Sequence, residues 1–400
     1  MQVTRLTLSN FRNYVKLDLS LPSGLMVIHG DNAQGKTNLL EAICILAFSR
    51  SPRAGKEGEL LSWASDPLEP TATRIIGEVQ RRDDSVTVEI ALMAAAGRSN
   101  APTEQAADED EALFAVAPGV QKRIRINGLG KRAMDMLGTL RVVLFRPEDL
   151  ALVTGAPSER RRALDMLLAQ MDYRYPRSLQ RYSRALQQRN HLLRRIAKEM
   201  AGVAELVPWD QVIATEGGYL LAQRYQALDR LGTLAAEAHA RLSSSVEQLT
   251  VGYESTVPLD KTASPNAESF TNAILARLAA AQRRDIIIGQ TTVGPHRDDL
   301  LFNIDRAPLG SYGSRGQQRT ATLAWKLAEA RYIREMTNDD PVVLLDDIFS
   351  EMDARRRSAL LETVTGYQQV LLTTTGADVK DLDMEPAATY RVQAGQLSPG

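Results

Sequence analysis

The sequence has 400 residues, of which 44% are hydrophobic and 24% charged, with a formal net charge of −1 at pH 7. The length fits two domains better than one, and the composition is typical of a soluble globular protein. A single cysteine, Cys44, excludes a disulfide scaffold and a cysteine-rich zinc site. No apolar run reaches transmembrane length, so we expect a cytoplasmic protein with no membrane partner, in which any nucleic-acid affinity comes from a local basic patch.

The first part of the chain has the alternation of β-strands. Apolar and polar residues alternate over residues 15–21 and 86–92, and residues 124–126 lead into the turn pair Asn127-Gly128. Between the last two of these runs, residues 94–119 are alanine-rich and acidic. They have neither the helical nor the strand period, so we expect a mobile loop between two strands.

Helix-forming residues dominate from about residue 158 to residue 284, with few runs that would form a strand. Strand patterns return at residues 342–345, 370–373 and 390–392. We therefore predict an α/β fold in which both ends of the chain, residues 1–150 and 285–400, form one lobe. A helical lobe of residues 151–284 is inserted between them.

Eight consecutive residues match the phosphate-loop pattern Gly-x-x-x-x-Gly-Lys-Ser/Thr. An apolar strand at residues 25–28 precedes them and an apolar helix at residues 38–47 follows. The glycines let backbone N–H groups turn towards phosphates, Lys36 places a cation on the β and γ oxygens, and Thr37 offers an oxygen to Mg²⁺. The sequence therefore predicts an ATP site with Mg²⁺ at these residues: Gly30, Asp31, Asn32, Ala33, Gln34, Gly35, Lys36 and Thr37.

A second nucleotide-site element is an apolar strand, residues 342–345, that runs into two aspartates. Asp346 at the strand end is predicted to hold Mg²⁺ together with Thr37, and Asp347 to act as the general base that orients the attacking water. Lys36, Asp346 and Asp347 are thus the predicted catalytic residues. The alternative is that the two aspartates only cap a strand and a turn.

The segment Ser314-Arg315-Gly316-Gln317-Gln318 precedes an amphipathic helix and resembles the signature of ABC ATPases, with Arg315 in place of the first glycine. Ser314 is suited to an N-cap, and Gly316 leaves the backbone bare for a phosphate. Residues 350–353, which include Asp353, resemble the ABC D-loop. The resemblance implies a mixed sheet with flanking helices and an antiparallel β subdomain.

The ABC resemblance also implies an ATP-dependent homodimer that encloses two ATP molecules. Ser314, Gly316 and Gln317 of one protomer would face the γ-phosphate held by the other. One departure concerns the strand after the D-loop, which most ABC proteins follow with a histidine. This chain has threonines at positions 373–375, which suggests slow hydrolysis.

More extended stretches resemble the RecF family of SMC-like repair ATPases: residues 10–14, 146–150, 159–162, 188–190, 294–299, 316–320 and 344–347. In this resemblance Arg12 lies close to the nucleotide. The departures are residues 94–119, Arg315 where the family usually has glutamine, and the tail after Asp378. For His296, in one of these stretches, a satisfied structural histidine is favoured over a ligand.

Membership of this family would imply a DNA replication and repair protein of the cytoplasm with a weak DNA-stimulated ATPase. It would bind single-stranded or gapped double-stranded DNA in an ATP-dependent manner. RecR and RecO would be its partners in the loading of recombinase. These properties are implied by the resemblance and not by the composition.

A basic run indicates where DNA could bind. Residues 160–198 contain eleven basic residues and two acids, Asp165 and Asp172, which gives +9. At 100° per residue, a helix from residue 176 would place four arginines in one narrow arc suited to phosphates: Arg177, Arg181, Arg184 and Arg195. The alternative is an ordinary solvated helix face.

Two other functions fit parts of the sequence. One is the nucleotide-binding subunit of an ABC transporter, which the basic insertion and the altered signature argue against. The other is a scaffold that holds ATP without turnover, which agrees with the shorter side chain of aspartate, rather than glutamate, at position 347.

Overall fold

A computed structural model of the protein describes residues 1–61, 72–94, 120–243, 247–259, 264–375 and 385–400. Of the loop predicted at residues 94–119, only Ala94 is described, as the last residue of a strand. The remainder of that loop, and residues 379–384 of the divergent tail, lie outside the described residues.

The described ranges contain these strands: β1 Gln2–Phe11, β2 Tyr14–Ser20, β3 Gly24–His29, β4 Ala72–Gln80, β5 Ser85–Ala94, β6 Val120–Ile126, β7 Leu129–Lys131, β8 Val142–Phe145, β9 Leu249–Glu254, β10 Asp299–Ile304, β11 Ala307–Pro308, β12 Val342–Asp346, β13 Gln369–Thr374, β14 Ala388–Gln393 and β15 Gln396–Pro399. Their α-helices are α1 Lys36–Phe48, α2 Ala133–Met136, α3 Ala151–Thr154, α4 Pro157–Ala169, α5 Tyr175–Ile196, α6 Val207–Leu242, α7 Ala267–Ile288, α8 Leu309–Tyr312, α9 Arg315–Thr337 and α10 Ala354–Val364.

A mixed sheet from both ends of the chain lies at the centre, with strand order β15-β14-β3-β13-β12-β8. Its strands are parallel except for the β14–β15 hairpin. Successive residues of β3 enter different cores, Leu25 and Val27 on one face and Met26 and Ile28 on the other. A parallel sheet needs this cover on both faces, which explains why β3, β12 and β13 are almost uninterrupted apolar runs.

A second sheet is antiparallel, with strand order β2-β1-β4-β5-β6-β7, and it shares a core with α1. The predicted alternation in β2 is correct for Leu17, Leu19 and Leu21, which are buried, but wrong for Val15, which is 62% exposed. The left-handed backbone of Asn10, on the paired strand β1, and of Arg12, in the turn that follows β1, breaks the strict alternation, and Tyr14 is buried instead.

The inserted region carries the long helices α5, α6 and α7, as the helix-forming composition predicted. It also contains β9, which pairs with β10 in a three-stranded sheet that the sequence pattern did not indicate. One apolar cluster runs from the central sheet through α4, α5, α6 and α9, so these helices are packed onto the sheet. Within the described part of the chain, no helix is both long and apolar enough to cross a membrane.

Candidate nucleotide-binding site

The predicted phosphate loop connects β3 to α1, and its glycines are required by close contacts. Gly30 has φ 153° and Gly35 has φ 116°. A Cβ atom at Gly30 would lie 2.4 Å from the Val392 carbonyl oxygen, and one at Gly35 would lie 2.5 Å from Asn13 Nδ2. Only glycine fits these two positions, so the loop keeps its backbone N–H groups free of side chains.

Lys36 lies across this loop. Its Nζ donates to the carbonyl oxygens of Gly30 at 2.7 Å and Asp31 at 2.9 Å. Desolvation lowers the pKa of Lys36, although the carboxylates of Asp347, Asp346 and Asp31 oppose this shift. The loop therefore holds a partly desolvated cation with acids close by, an arrangement suited to an incoming polyphosphate with its metal ion.

Thr37 and Asp346 are brought together from opposite ends of the sequence. Thr37 Oγ1 donates to Asp346 Oδ1 at 2.9 Å, and Thr373 Oγ1 donates to the same oxygen at 2.8 Å. Burial raises the pKa of Asp346, and the hydrogen bonds from Thr373 and Thr37 oppose this shift. A hydroxyl and a carboxylate in contact are hard oxygen donors, so this pair fits Mg²⁺ that is completed by phosphate and water.

Asp347 follows directly at the carboxyl end of β12 in the left-handed region, with φ 49°. Its backbone N–H donates to Thr373, to the carbonyl oxygen at 3.3 Å and to Oγ1 at 3.1 Å. Asp353, of the predicted D-loop, caps α10 by accepting from the Arg356 backbone N–H at 2.9 Å. The sheet edge thus carries Asp346 and Asp347, and the chain leaves this edge through the predicted D-loop.

Arg12 contacts α1 through an ion pair. Its Nε and Nη2 donate to the two carboxylate oxygens of Glu41 at 2.9 and 2.8 Å, and Glu41 is buried. Its Nη1 donates to the Glu59 carbonyl oxygen at 2.7 Å. Arg12 therefore lies against the helix that follows the phosphate loop, with its guanidinium held by three hydrogen bonds.

The two residues after Arg12 contact the phosphate loop itself, and the sequence pattern did not predict these contacts. Asn13 Nδ2 donates to the Gln34 carbonyl oxygen at 2.8 Å and its Oδ1 accepts from Asn38 Nδ2 at 2.8 Å. Tyr14 Oη donates to the Gly35 carbonyl oxygen at 3.0 Å. Both residues lie in the stretch 10–14 that resembles the RecF family, and this resemblance is the sequence feature that could have indicated them.

The turn between β14 and β15 also lies on the phosphate loop. The backbone N–H of Ala394 donates to Gln34 Oε1 at 2.7 Å, and that of Gly395 donates to the Gln34 carbonyl oxygen at 3.1 Å. Ala394 and Gln34 are 360 residues apart, so no local pattern could have indicated their contact. The chain's last hairpin is therefore part of the site's framework.

The predicted signature begins α9. Ser314 Oγ accepts from the Gln317 backbone N–H at 3.2 Å, and Gln317 Oε1 accepts from the Ser314 N–H at 2.7 Å. Gln317 Nε2 also donates to Glu247 Oε1 at 2.9 Å. Across the residues that the structure describes, no hydrogen bond links Ser314, Gly316 or Gln317 to the phosphate loop, so the two predicted halves of the ATP site are not joined within one chain.

The basic run at residues 160–198 divides into buried and exposed arginines. Arg189 is 0% exposed and donates to Asp210 and Asp285 at 2.6 and 2.7 Å. Arg160 pairs with Asp299, and Arg161 donates to the Asp298 carbonyl oxygen. The net charge of +9 counted from the sequence is therefore not all on the surface.

The four arginines of the predicted DNA face lie along α5, and three of them have partners. Arg177 pairs with Asp135 at 2.6 Å, Arg181 pairs with Glu216 at 3.3 Å, and Arg195 donates to the Met200 carbonyl oxygen at 3.1 Å. Arg184 is exposed and makes no hydrogen bond or ion pair within the described ranges. Arg181 and Arg184 are the most accessible of the set.

His296 is enclosed beside α5. Tyr182 Oη donates to His296 Nδ1 at 2.6 Å when His296 Nε2 donates to the Thr291 carbonyl oxygen at 3.1 Å. Desolvation lowers the pKa of His296 to about 3, so the ring is neutral. These contacts are those of a satisfied structural histidine.

Comparison with known proteins places this geometry in a family. The family model described as RecF/RecN/SMC N terminal domain matches residues 2–396. The DNA replication and repair protein RecF of Roseiflexus castenholzii is 43% identical, over 100% of both chains. The chain belongs to the RecF family. Membership of this family of DNA replication and repair proteins favours repair over the alternative of a transporter subunit.

Solved structures of RecF agree with the fold. The structure of the recombination mediator protein RecF-ATP in the RecFOR pathway superposes with a TM-score of 0.83 at 29% identity, covering 100% of this chain and 97% of that one. The Smc head domain of Pyrococcus furiosus has a TM-score of 0.53 at 15% identity, covering 99% and 95%, which shows the fold alone. The predicted fold class, an ABC-type ATPase lobe with an antiparallel β subdomain and inserted helices, is confirmed.

Proposed function

We propose that this RecF-family chain binds ATP with Mg²⁺ at residues 30–37 and uses slow hydrolysis to control a DNA-binding dimer in replication and repair. The observation that carries the proposal is the hydrogen bond from Thr37 to Asp346. It joins the end of the phosphate loop to the end of an acidic strand, two elements that have a common use at the metal ion of a nucleoside triphosphate.

Each site residue has a proposed task. The free N–H groups from Gly30 to Gly35 bind the phosphates, and Lys36 leaves its carbonyl partners for the β and γ oxygens. Thr37 and Asp346 hold Mg²⁺, which would supply charge neutralisation at the phosphates. Asp347 accepts the proton of the attacking water. Arg12, held by Glu41, borders the nucleotide.

We propose that the site is completed by a second protomer. In the first turn of α9 the Gln317 N–H is capped by Ser314, whereas the N–H groups of Arg315 and Gly316 make no hydrogen bond to the described residues, and the helix dipole favours an anion there. ATP bound to one protomer offers a γ-phosphate to Ser314, Gly316 and Gln317 of the other, with Asp353 at the contact. ADP lacks this phosphate, so ATP favours the dimer and hydrolysis releases it.

DNA is proposed to bind the exposed arginines of α5, with Arg181 and Arg184 as the main contacts and Arg177 and Arg195 beside them. Residues 151–284 would then act as the DNA-binding lobe and residues 1–150 with 285–400 as the ATPase lobe. The DNA would be single-stranded or gapped. By family resemblance, RecR and RecO are the partners in recombinase loading in the cytoplasm.

Light scattering on the Asp347→Asn variant tests the dimer, since this variant keeps the size of the side chain but cannot accept the water's proton. We expect a dimer with ATP and a monomer with ADP or without nucleotide. The matched variant Ser314→Arg should bind ATP but remain monomeric. It loses the N-cap of α9 and places a bulky side chain where the partner's γ-phosphate would bind. If the Asp347→Asn variant stays monomeric with ATP, the proposed dimer is contradicted, while the assignment of ATP to the phosphate loop stands.

A scaffold that holds ATP without turnover is the remaining alternative, favoured by the threonines at the end of β13. Comparison of ATP turnover with and without DNA distinguishes the two. DNA-stimulated phosphate release that stops in Asp347→Asn supports the enzyme, and identical background rates for both proteins support the scaffold.

A further inference from the structure

Arg315 departs from both patterns that the surrounding segment resembles, and its side chain has no partner in the described residues. It is the first residue of α9 and is exposed. Its guanidinium makes neither a hydrogen bond nor an ion pair within the part of the chain that the structure describes. By contrast, Arg331 and Arg334 of the same helix pair with Glu237 and Asp340. An arginine without a carboxylate partner is available for an anion from outside the chain.

The position of Arg315 relates it to the nucleotide site. A Cβ atom at the neighbouring Gly316 would lie 3.9 Å from Arg356 Nη2, and Arg356 pairs with Asp353 at 3.1 Å. Asp353 lies in the segment that leaves the sheet edge carrying Asp346 and Asp347. Arg315 is thus on the surface that continues from this edge, the one that the proposed dimer turns towards the partner's phosphate loop.

A second departure makes a cation at this place useful. Most ABC proteins have a histidine after the strand equivalent to β13, whereas this chain has Thr373, Thr374 and Thr375. Thr373 is already committed to Asp346 and lies in the sheet. On its own side of the γ-phosphate the chain therefore has Lys36 but no histidine at positions 373–375, and it carries a further cation on the α9 side, where the signature pattern has glycine.

We propose that Arg315 is a catalytic residue supplied in trans, whose guanidinium donates to the γ-phosphate oxygens of ATP bound by the partner protomer. The inference rests on the proposed dimer. Water attacks the γ-phosphorus and gives its proton to Asp347, while the bond to the β–γ bridging oxygen breaks and its electron pair stays on ADP. Arg315 neutralises the charge on the transferred phosphoryl group, as arginines provided by a second protein do.

Substitution of Arg315 by the residue that the family usually has gives a first test. Arg315→Gln keeps hydrogen-bond donors and removes the charge, so hydrolysis in a single turnover with saturating ATP should fall about tenfold. Arg315→Lys keeps the charge and should retain more activity than Arg315→Gln. ATP affinity measured at concentrations where the chain is monomeric should not change, because the chain's own phosphate loop is intact.

Mixing of two slow variants tests whether the arginine acts in trans. Asp347→Asn binds ATP and offers Arg315, while Arg315→Gln keeps Asp347, so a mixed dimer contains one complete site. With random pairing, half of the dimers are mixed and each has one of two sites active, so the mixture should recover about a quarter of the wild-type rate. Each variant alone should stay slow.

The outcomes separate this inference from the dimer on which it rests. If Arg315→Gln forms the ATP-dependent dimer and hydrolyses ATP at the wild-type rate, the inference is overturned and the dimer stands. If mixing restores no activity, Arg315 does not act in trans and the inference fails. If the wild-type chain and Asp347→Asn never dimerise with ATP, both the dimer and the inference fail.

Discussion

The phosphate loop and helix α5 are the two regions whose sequence first indicated function, and their charged residues are controlled in different ways. Lys36 is held by carbonyl oxygens of its own loop, at Gly30 and Asp31. In α5, distant acids decide which arginines remain available: Arg189 is buried by Asp210 and Asp285, whereas Arg184, five positions earlier, is exposed. A motif whose hydrogen bonds are local can be located from the sequence. The number of basic residues in a segment, by contrast, does not say how many of them lie on the surface.

The largest effect is expected when the buried arginine is removed. Arg189→Met leaves the carboxylates of Asp210 and Asp285 without their cation, and Asp285 is 0% exposed. The free energy of unfolding should fall by about 3–5 kcal/mol. Urea denaturation followed by circular dichroism measures it. Arg184→Met is the matched control on the same helix and should change the value by less than about 0.5 kcal/mol; equal losses would contradict the division into buried and exposed arginines.

A substitution in the phosphate loop should change the affinity for ATP and not the free energy of unfolding. Lys36→Ala removes the cation proposed for the β and γ oxygens, so ATP affinity should fall about 100-fold, equivalent to about 3 kcal/mol. Isothermal titration with ATP and Mg²⁺ measures this change. Thr363→Ala on α10, whose hydroxyl donates to the Ala359 carbonyl oxygen, provides a control. Unchanged affinity in Lys36→Ala would show that the loop does not hold the nucleotide.

Neutralisation of the exposed arginines tests the other side of the comparison. Arg181→Gln with Arg184→Gln removes two proposed phosphate contacts, so the slope of log K against log salt should decrease in magnitude by roughly 2. DNA binding is measured by fluorescence anisotropy over a range of salt concentrations. A paired control, Arg5→Gln with Arg74→Gln on the antiparallel sheet, should leave the slope unchanged. Weaker binding with an unaltered slope would place the DNA elsewhere.

The smallest effect concerns pH. Burial raises the pKa of Asp346, so this carboxyl takes up its proton at a higher pH than an ordinary aspartate does. The proposed binding of Mg²⁺ with ATP at Asp346 needs the charged form, and affinity should therefore weaken as the pH falls through this raised pKa. Titrations across the acidic range with Asp346→Asn as control measure the effect. The control should bind more weakly than the wild type above this pKa and lose the pH dependence.

The folded-state pKa of Asp346 also affects stability, with the opposite sign. Because it lies above the unfolded value, the folded chain binds the proton more tightly, and stability falls as the pH rises through the window between the two values. Asp346→Asn should remove that fall. Thermal unfolding without nucleotide over the same pH range measures it.

The sequence predicted the elements whose patterns are contiguous. The strand and helix around the phosphate loop, the acidic strand ending at Asp346 and the N-cap at Ser314 are present at the expected places. The pairings between distant residues were not predictable, because a local pattern does not show which acid pairs with Arg189 or which turn contacts Gln34. The strand β9 was missed for the same reason, since its partner β10 follows 45 residues later.

The contact of the last hairpin with the phosphate loop has a consequence for the order of events during synthesis. Gln34 emerges early, but its partners Ala394 and Gly395 belong to the end of the chain. At typical translation rates of about 5–20 residues per second, these two residues are synthesised roughly 20–70 s after Gln34. Nascent chains on the ribosome would therefore have a phosphate loop without these hydrogen bonds until residues 394 and 395 are synthesised, and the framework of the ATP site would be completed only then.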